Sequence, residues 1–134
     1  MTGEELTALL HSQIPFAEVL GLRAELASPE LVQASCEWQS DRCTVADALH
    51  GGYLMAIADT VGAVCATFNM NPGASTSTIE SKTNFFRPVT EGVVNIAATP
   101  IHVGTTIIVI QTDVTTDAGK LVTRTTQTQA IRLP

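Results

Sequence analysis

Asp59 is the only charged residue between Gly51 and Ile79, in a stretch dominated by Leu, Ile, Val, Ala, Met and Cys. A lone carboxylate among apolar neighbours is costly to bury unless something pairs with it or uses it. An acid so placed suits a general base or a nucleophile. Just upstream stands His50-Gly51-Gly52, at the point where a helical pattern begins. Two glycines at a helix N-terminus leave backbone N–H groups uncovered by any Cβ, at the positive end of the helix dipole. Such a place suits an oxyanion, either a phosphate or the developing negative oxygen of an acyl-transfer intermediate. Neither feature decides alone. A carboxylate can stand at an exposed helix edge or answer the backbone donors of a nearby loop, and a Gly-Gly pair can be a loop-to-helix hinge.

The elements that would position these groups follow from the spacing of apolar residues. From Gly51 to about Phe68 there is no proline, and Leu54, Ile57, Ala58, Val61, Val64, Cys65 and Phe68 recur at helical intervals. The opposite side carries Met55, Ala56, Gly62, Ala63 and Ala66, so the helix is apolar all round and is expected to be buried all round. Asn69 to Gly73 ends it. Upstream, Thr2 to His11 reads as a short helix with Thr2 and Glu5 as a capping box. Pro15 to Leu20 is a second turn stopped by Gly21. Leu22 to Ala27 and Leu31 to Trp38 read as strands joined through Ser28-Pro29-Glu30, and Gln39 to Leu49 as a loop. Downstream, Thr76 to Phe86, Val93 to Val103, Thr106 to Thr115 and Leu121 to Ile131 read as four strands. The last two are joined by an Asp117-Ala118-Gly119-Lys120 hairpin turn. The order predicts an α+β fold with one long helix wrapped by an antiparallel sheet of about six strands.

The 134 residues fit a single domain, 1–134. With 45% hydrophobic and 15% charged residues there is enough to bury a core. The net charge of −6, without a basic patch interleaved with aromatics, argues against nucleic acid as a partner. Three widely spaced cysteines, Cys36, Cys43 and Cys65, read as free thiols in a reducing compartment. No zinc spacing is present and no metal is called for. No apolar run reaches spanning length and no basic leader precedes the first helix, so a soluble cytoplasmic protein without a membrane partner is expected. Serine-hydrolase, NTPase and zincin motifs are absent.

His50-Gly51-Gly52-Tyr53-Leu54-Met55-Ala56-Ile57-Ala58-Asp59 resembles the His-Gly-Gly…Asp signature of hotdog thioesterases of the phenylacetic-acid-degradation type. The strand ending Asn84-Phe85-Phe86-Arg87-Pro88 and the Gly119-Lys120-Leu121-Val122 turn extend the similarity from roughly Phe16 to Ile131. The resemblance implies a hotdog fold and acyl-CoA hydrolysis without a cofactor. It also implies homodimers, paired again into a tetramer, with active sites between subunits. By the same resemblance the Gly51 N–H would polarise the thioester carbonyl and Asp59 of the other subunit would activate water or attack directly. His50 would orient the site, and Thr78 would hold the attacking water, although Thr78 also fits an ordinary strand position. Gly52, Thr44, Tyr53 and Phe85 are the expected substrate contacts, with Met55 and Phe68 beside the acyl group.

Two departures stand out. Where relatives carry Asn six residues before the histidine, this chain has Thr44. Where they carry arginine after the glycine near the CoA phosphates, it has Thr105. Lys82, Arg87, Lys120, Arg124 and Arg132 are the remaining cations for that task. These departures motivate an alternative, a non-catalytic acyl-CoA-binding protein acting as sensor or carrier. A hotdog dehydratase fits the helix motif poorly.

Overall fold

Strands built from Val, Ile and Thr pair into one antiparallel sheet against which the apolar helix packs, in a computed structural model that describes all 134 residues. Helices α1 (Gly3–Gln13) and α2 (Pro15–Val19) precede the hairpin β1 (Arg23–Ala27) and β2 (Val32–Glu37). The long helix α3 (Gly51–Thr67) follows, then β3 (Ser75–Phe85), β4 (Val93–Val103), β5 (Ile107–Thr116) and β6 (Leu121–Arg132). The strand order is β1-β2-β4-β5-β6-β3, which leaves β1 and β3 as the two edges. This is the hotdog arrangement, a helix lying along the inner face of a six-stranded sheet.

The local signals act as their chemistry requires. The Thr2 hydroxyl accepts the Glu5 N–H and the Glu5 carboxylate accepts the Thr2 N–H, so the capping box closes on both sides. The β5–β6 turn closes through Thr116 N–H to the Lys120 carbonyl, with Gly119 at φ +80°. Between Gln39 and Leu49 the expected loop holds two short 3-10 turns.

The core lies between α3 and the sheet. Leu54, Ile57, Ala58, Val61 and Cys65 are buried against Val94, Ile96, Ile108 and Ile110. The expectation of a helix covered on every side is wrong for this single chain. Gly52, Met55 and Asp59 form an exposed stripe and Phe68 is also exposed, while Ala56, Ala63 and Val64 are half-buried. One sheet reaches only the flank of a helix that faces it, and α1 does not extend over the rest. Replacing the fully buried Ile57 by Ala should lower unfolding stability by about 2–5 kcal/mol, read from urea denaturation. A smaller loss would mean that the core closes over the gap.

Strand β3 carries a bulge that bears on the site. Thr78 opposes Gln129 and Glu80 opposes Thr128, so Ile79 has no partner and the inward parity switches across it. Before the bulge Thr76 and Thr78 face α3 and β6. After it Thr83 and Phe85 do so, with the Thr83 and Thr125 hydroxyls 2.7 Å apart.

Candidate functional site

The start of α3 shows why both glycines are there. His50 caps the helix from extended backbone (φ −61°, ψ 136°), and its ring folds back so that Nδ1 accepts the Gly52 N–H at 2.8 Å. A Cβ on Gly52 would lie 2.9 Å from that nitrogen, so glycine makes room for the ring. With Nδ1 occupied, a neutral ring carries its proton on Nε2 and has no acceptor left. His50 therefore orients the turn and is not set up as a base. The Gly51 N–H makes no hydrogen bond and points out from the first turn of a 17-residue helix. That makes Gly51, not Gly52, the available oxyanion donor. The Phe85 ring packs over it, its Cε1 being 3.3 Å from where a Gly51 Cβ would stand.

Asp59 lies eight residues further on, about 12 Å along the helix axis at 1.5 Å per residue. Thr78 Oγ1 donates to Asp59 Oδ1 at 3.3 Å. Gln127 Nε2 donates to the same oxygen at 3.3 Å. The carboxylate is exposed on the uncovered stripe of α3 rather than enclosed by its own chain. The expectation of an acid surrounded by apolar side chains fails here, because the small residues beside it have no opposing element within the chain.

The other expected contacts are dispersed. Tyr53 donates its hydroxyl to the Leu20 carbonyl at 2.6 Å and its ring lies under the Arg42 guanidinium, 5.4 Å from the centroid. Burial pushes the Tyr53 phenol well above its ordinary range, so it stays a neutral donor. It ties α3 to α2. Together with His50 it lines a cleft of about 490 Å³ away from Asp59. Thr44 sits exposed in the loop before α3, its N–H bonded to the Ala48 carbonyl, and within the chain it meets neither Gly51 nor Asp59. Met55, Phe68 and Phe85 do not share one cavity. Phe68 alone of these lines an apolar cavity of about 400 Å³ between α1, β1–β2 and α3, whose α3 wall includes Val61, Ala63 and Val64.

Neither buried thiol is set up as a nucleophile. Cys36 and Cys65 are buried, and desolvation raises both, Cys65 to about 11. No group of three or more His, Cys, Asp or Glu side chains is gathered to hold a metal. Among the cations, Arg124 is held by Asp113 through two bonds of 2.8 and 2.9 Å, and Arg132 opposes Ser75 at the far end of β3. Arg87 donates to the Leu121 carbonyl, which brings it beside Lys120 at the Phe85 end of the strand. Gln127 and Gln129, outside the expected site residues, are both buried on β6 and linked to the Asp59 cluster. The signal for them is their spacing of two, in register with Thr123, Thr125 and Ile131.

Comparison with known proteins adds to this geometry. A Haemophilus influenzae protein named as an esterase is 37% identical over 73 residues, 54% of this chain and 53% of that one. The chain spans about half the length of the curated relatives it matches. Among solved structures, a Haemophilus influenzae thioesterase is similar over 98% of this chain and 91% of its own, with 27% identity and a TM-score of 0.88. A hypothetical thioesterase from Streptococcus pneumoniae, crystallised with coenzyme A, is similar in fold over 91% and 96% (TM-score 0.81, 20% identity). The profile of the thioesterase superfamily matches residues 47–123, which take in His50, Gly51, Asp59 and Thr78. With that match over more than half of its length, the chain belongs to the thioesterase superfamily.

Proposed function

We propose that the protein hydrolyses an acyl-CoA thioester at a site shared by two copies of the chain, as in thioesterases of the phenylacetic-acid-degradation type. One observation carries this reading. The free Gly51 N–H and the Asp59 carboxylate lie on one helix about 12 Å apart, too far for both to reach the same carbonyl. A second copy related by a two-fold axis, running antiparallel, brings Asp59 of one helix to Gly51 of the other and covers the exposed stripe of Gly52, Met55 and Asp59. The unpaired edge of β3 offers the matching strand contact, and two such dimers pair into the tetramer.

The chemistry then follows from the groups in place. The thioester oxygen accepts the Gly51 N–H, and the dipole of α3 stabilises the negative charge that develops on it. Asp59 takes a proton from water as the water oxygen bonds to the carbonyl carbon, or it attacks that carbon itself and water opens the resulting anhydride. In both routes the C–S bond breaks and CoA leaves as its thiol. Thr78 steadies the carboxylate, and the acyl group extends past Ala63 into the apolar cavity, whose volume lies in the range of small-molecule sites. Arg87 and Lys120, at the Gly51 end of the sheet, meet the CoA phosphates. The fold holds coenzyme A in the Streptococcus pneumoniae neighbour, which supports CoA as the carrier. The helix motif and the lack of a spanning helix fit a cytoplasmic enzyme.

Subunit mixing tests the shared site. Asp59→Asn and Gly51→Pro chains, each inactive alone, should recover roughly a quarter of wild-type thiol release when co-assembled one to one, because half the dimers are mixed and each has one intact site. No recovery in verified heterodimers rejects the shared site. The second reading, an acyl-CoA sensor or carrier, draws on Thr44, whose hydroxyl bonds nothing in the chain. Tight calorimetric binding of acyl-CoA without release of free thiol would select it.

A further inference from the structure

The inner face of β6 is polar where a helix covers it. Thr123, Thr125, Gln127 and Gln129 are all at most 1% exposed, yet they lie on the face that packs towards α3. Two of them converge on Asp59. Gln127 Nε2 donates to Oδ1 directly, at 3.3 Å. Gln129 Nε2 donates to Thr78 Oγ1 at 2.7 Å, and Thr78 in turn donates to the same Oδ1. Thr76 Oγ1 lies 2.9 Å from Gln129 Oε1 and 3.0 Å from the Ala130 carbonyl, each within reach of its one proton. The Gln127 amide and the Gln129–Thr78 relay both end on Oδ1. Oδ2 accepts no hydrogen bond within the chain.

The fold makes room for this arrangement at a cost. Gln127 Oε1 is buried without a partner, and it lies under Gly62, where a Cβ would come within 1.9 Å of it. Burying an unbonded amide oxygen costs stability, and an apolar side chain of similar volume would avoid that cost. A site kept only for packing would hold Leu or Met here. Gly62 on the helix and Gln127 on the strand therefore form a matched pair, with the glycine clearing space for an amide whose other end serves Asp59.

We propose that Gln127 and Gln129 are positioning residues that fix Asp59 through Oδ1 and so assign Oδ2 as the oxygen that meets the reacting centre. This rests on the hydrolase reading above. Gln127→Met keeps the volume and removes the donor. It should fold with unchanged or raised melting temperature, keep its KM and lose about tenfold or more in kcat. In an Asp59→Asn background the same change should cost nothing further, since both act through one group. Unchanged kcat, or an equal loss in both backgrounds, overturns the proposal. A second measurement needs no turnover and no glutamine variant: the side-chain amide resonances of Gln127 should move on Asp59→Asn. If they stay in place, the proposal fails. If they move while the wild-type protein releases no thiol from any acyl-CoA, the hydrolase reading falls and the support of Asp59 by Gln127 stands.

Discussion

Asp59→Asn should lower kcat for acyl-CoA hydrolysis by about 10²–10⁴-fold, the loss expected when a general base is removed. Folding should be intact, because the side chain stands on the exposed stripe of α3 and the amide can still accept from Thr78 and Gln127. Thiol release across short, long and aromatic acyl-CoAs measures it, with thermal unfolding as the control for structure. Undiminished turnover on a good substrate would remove Asp59 from the mechanism. Repeated turnover in ¹⁸O-labelled water separates the two routes, because only direct attack, with water opening the anhydride at the Asp59 carbonyl, places label in the Asp59 carboxylate.

Gly51→Pro should cost about 10²–10³-fold in kcat by deleting one oxyanion donor. The substitution is well suited to the place. Proline is favoured in the first turn of a helix, where its missing N–H has no helical partner. The residue before it must be extended, and His50 already is, at ψ 136°. The added atoms crowd Phe85, so Gly51→Ala serves as the control, with similar crowding and an intact N–H. Comparable losses in both variants would shift the blame to Phe85 and away from the N–H.

Much of this architecture was readable in the residues. The span of α3, the four downstream strands and the capping box follow from periodicity and turn chemistry, and all appear within a residue or so of the expected places. The resemblance gave Thr78 the task of holding the attacking water, and within the chain its hydroxyl bonds Asp59 directly. What escaped has physical reasons. A helical wheel counts residue types but not the elements available to cover them, so the uncovered face of Gly52, Met55 and Asp59 could not be foreseen. The switch of parity at Ile79 leaves no mark in composition, since Thr and Ser stand on both sides of it. Gln127 and Gln129 escaped because a spacing of two puts them on one face of the strand without saying which face is covered. Only the pairing of β6 between β5 and β3 puts them indoors.

The bulge at Ile79 also bears on what the molecule avoids. A free strand of 11 residues is a template on which foreign chains can add and grow into aggregates. The unpaired residue breaks that template near its middle, and the exposed charges of Glu80 and Lys82 follow at once. An incoming strand of regular pleat finds only half a ladder and meets charge beyond it. A twin with its own irregularity at the mirrored position can match both halves. The same kink that aims Thr78 at the carboxylate thus acts as a gatekeeper against fibril-like growth.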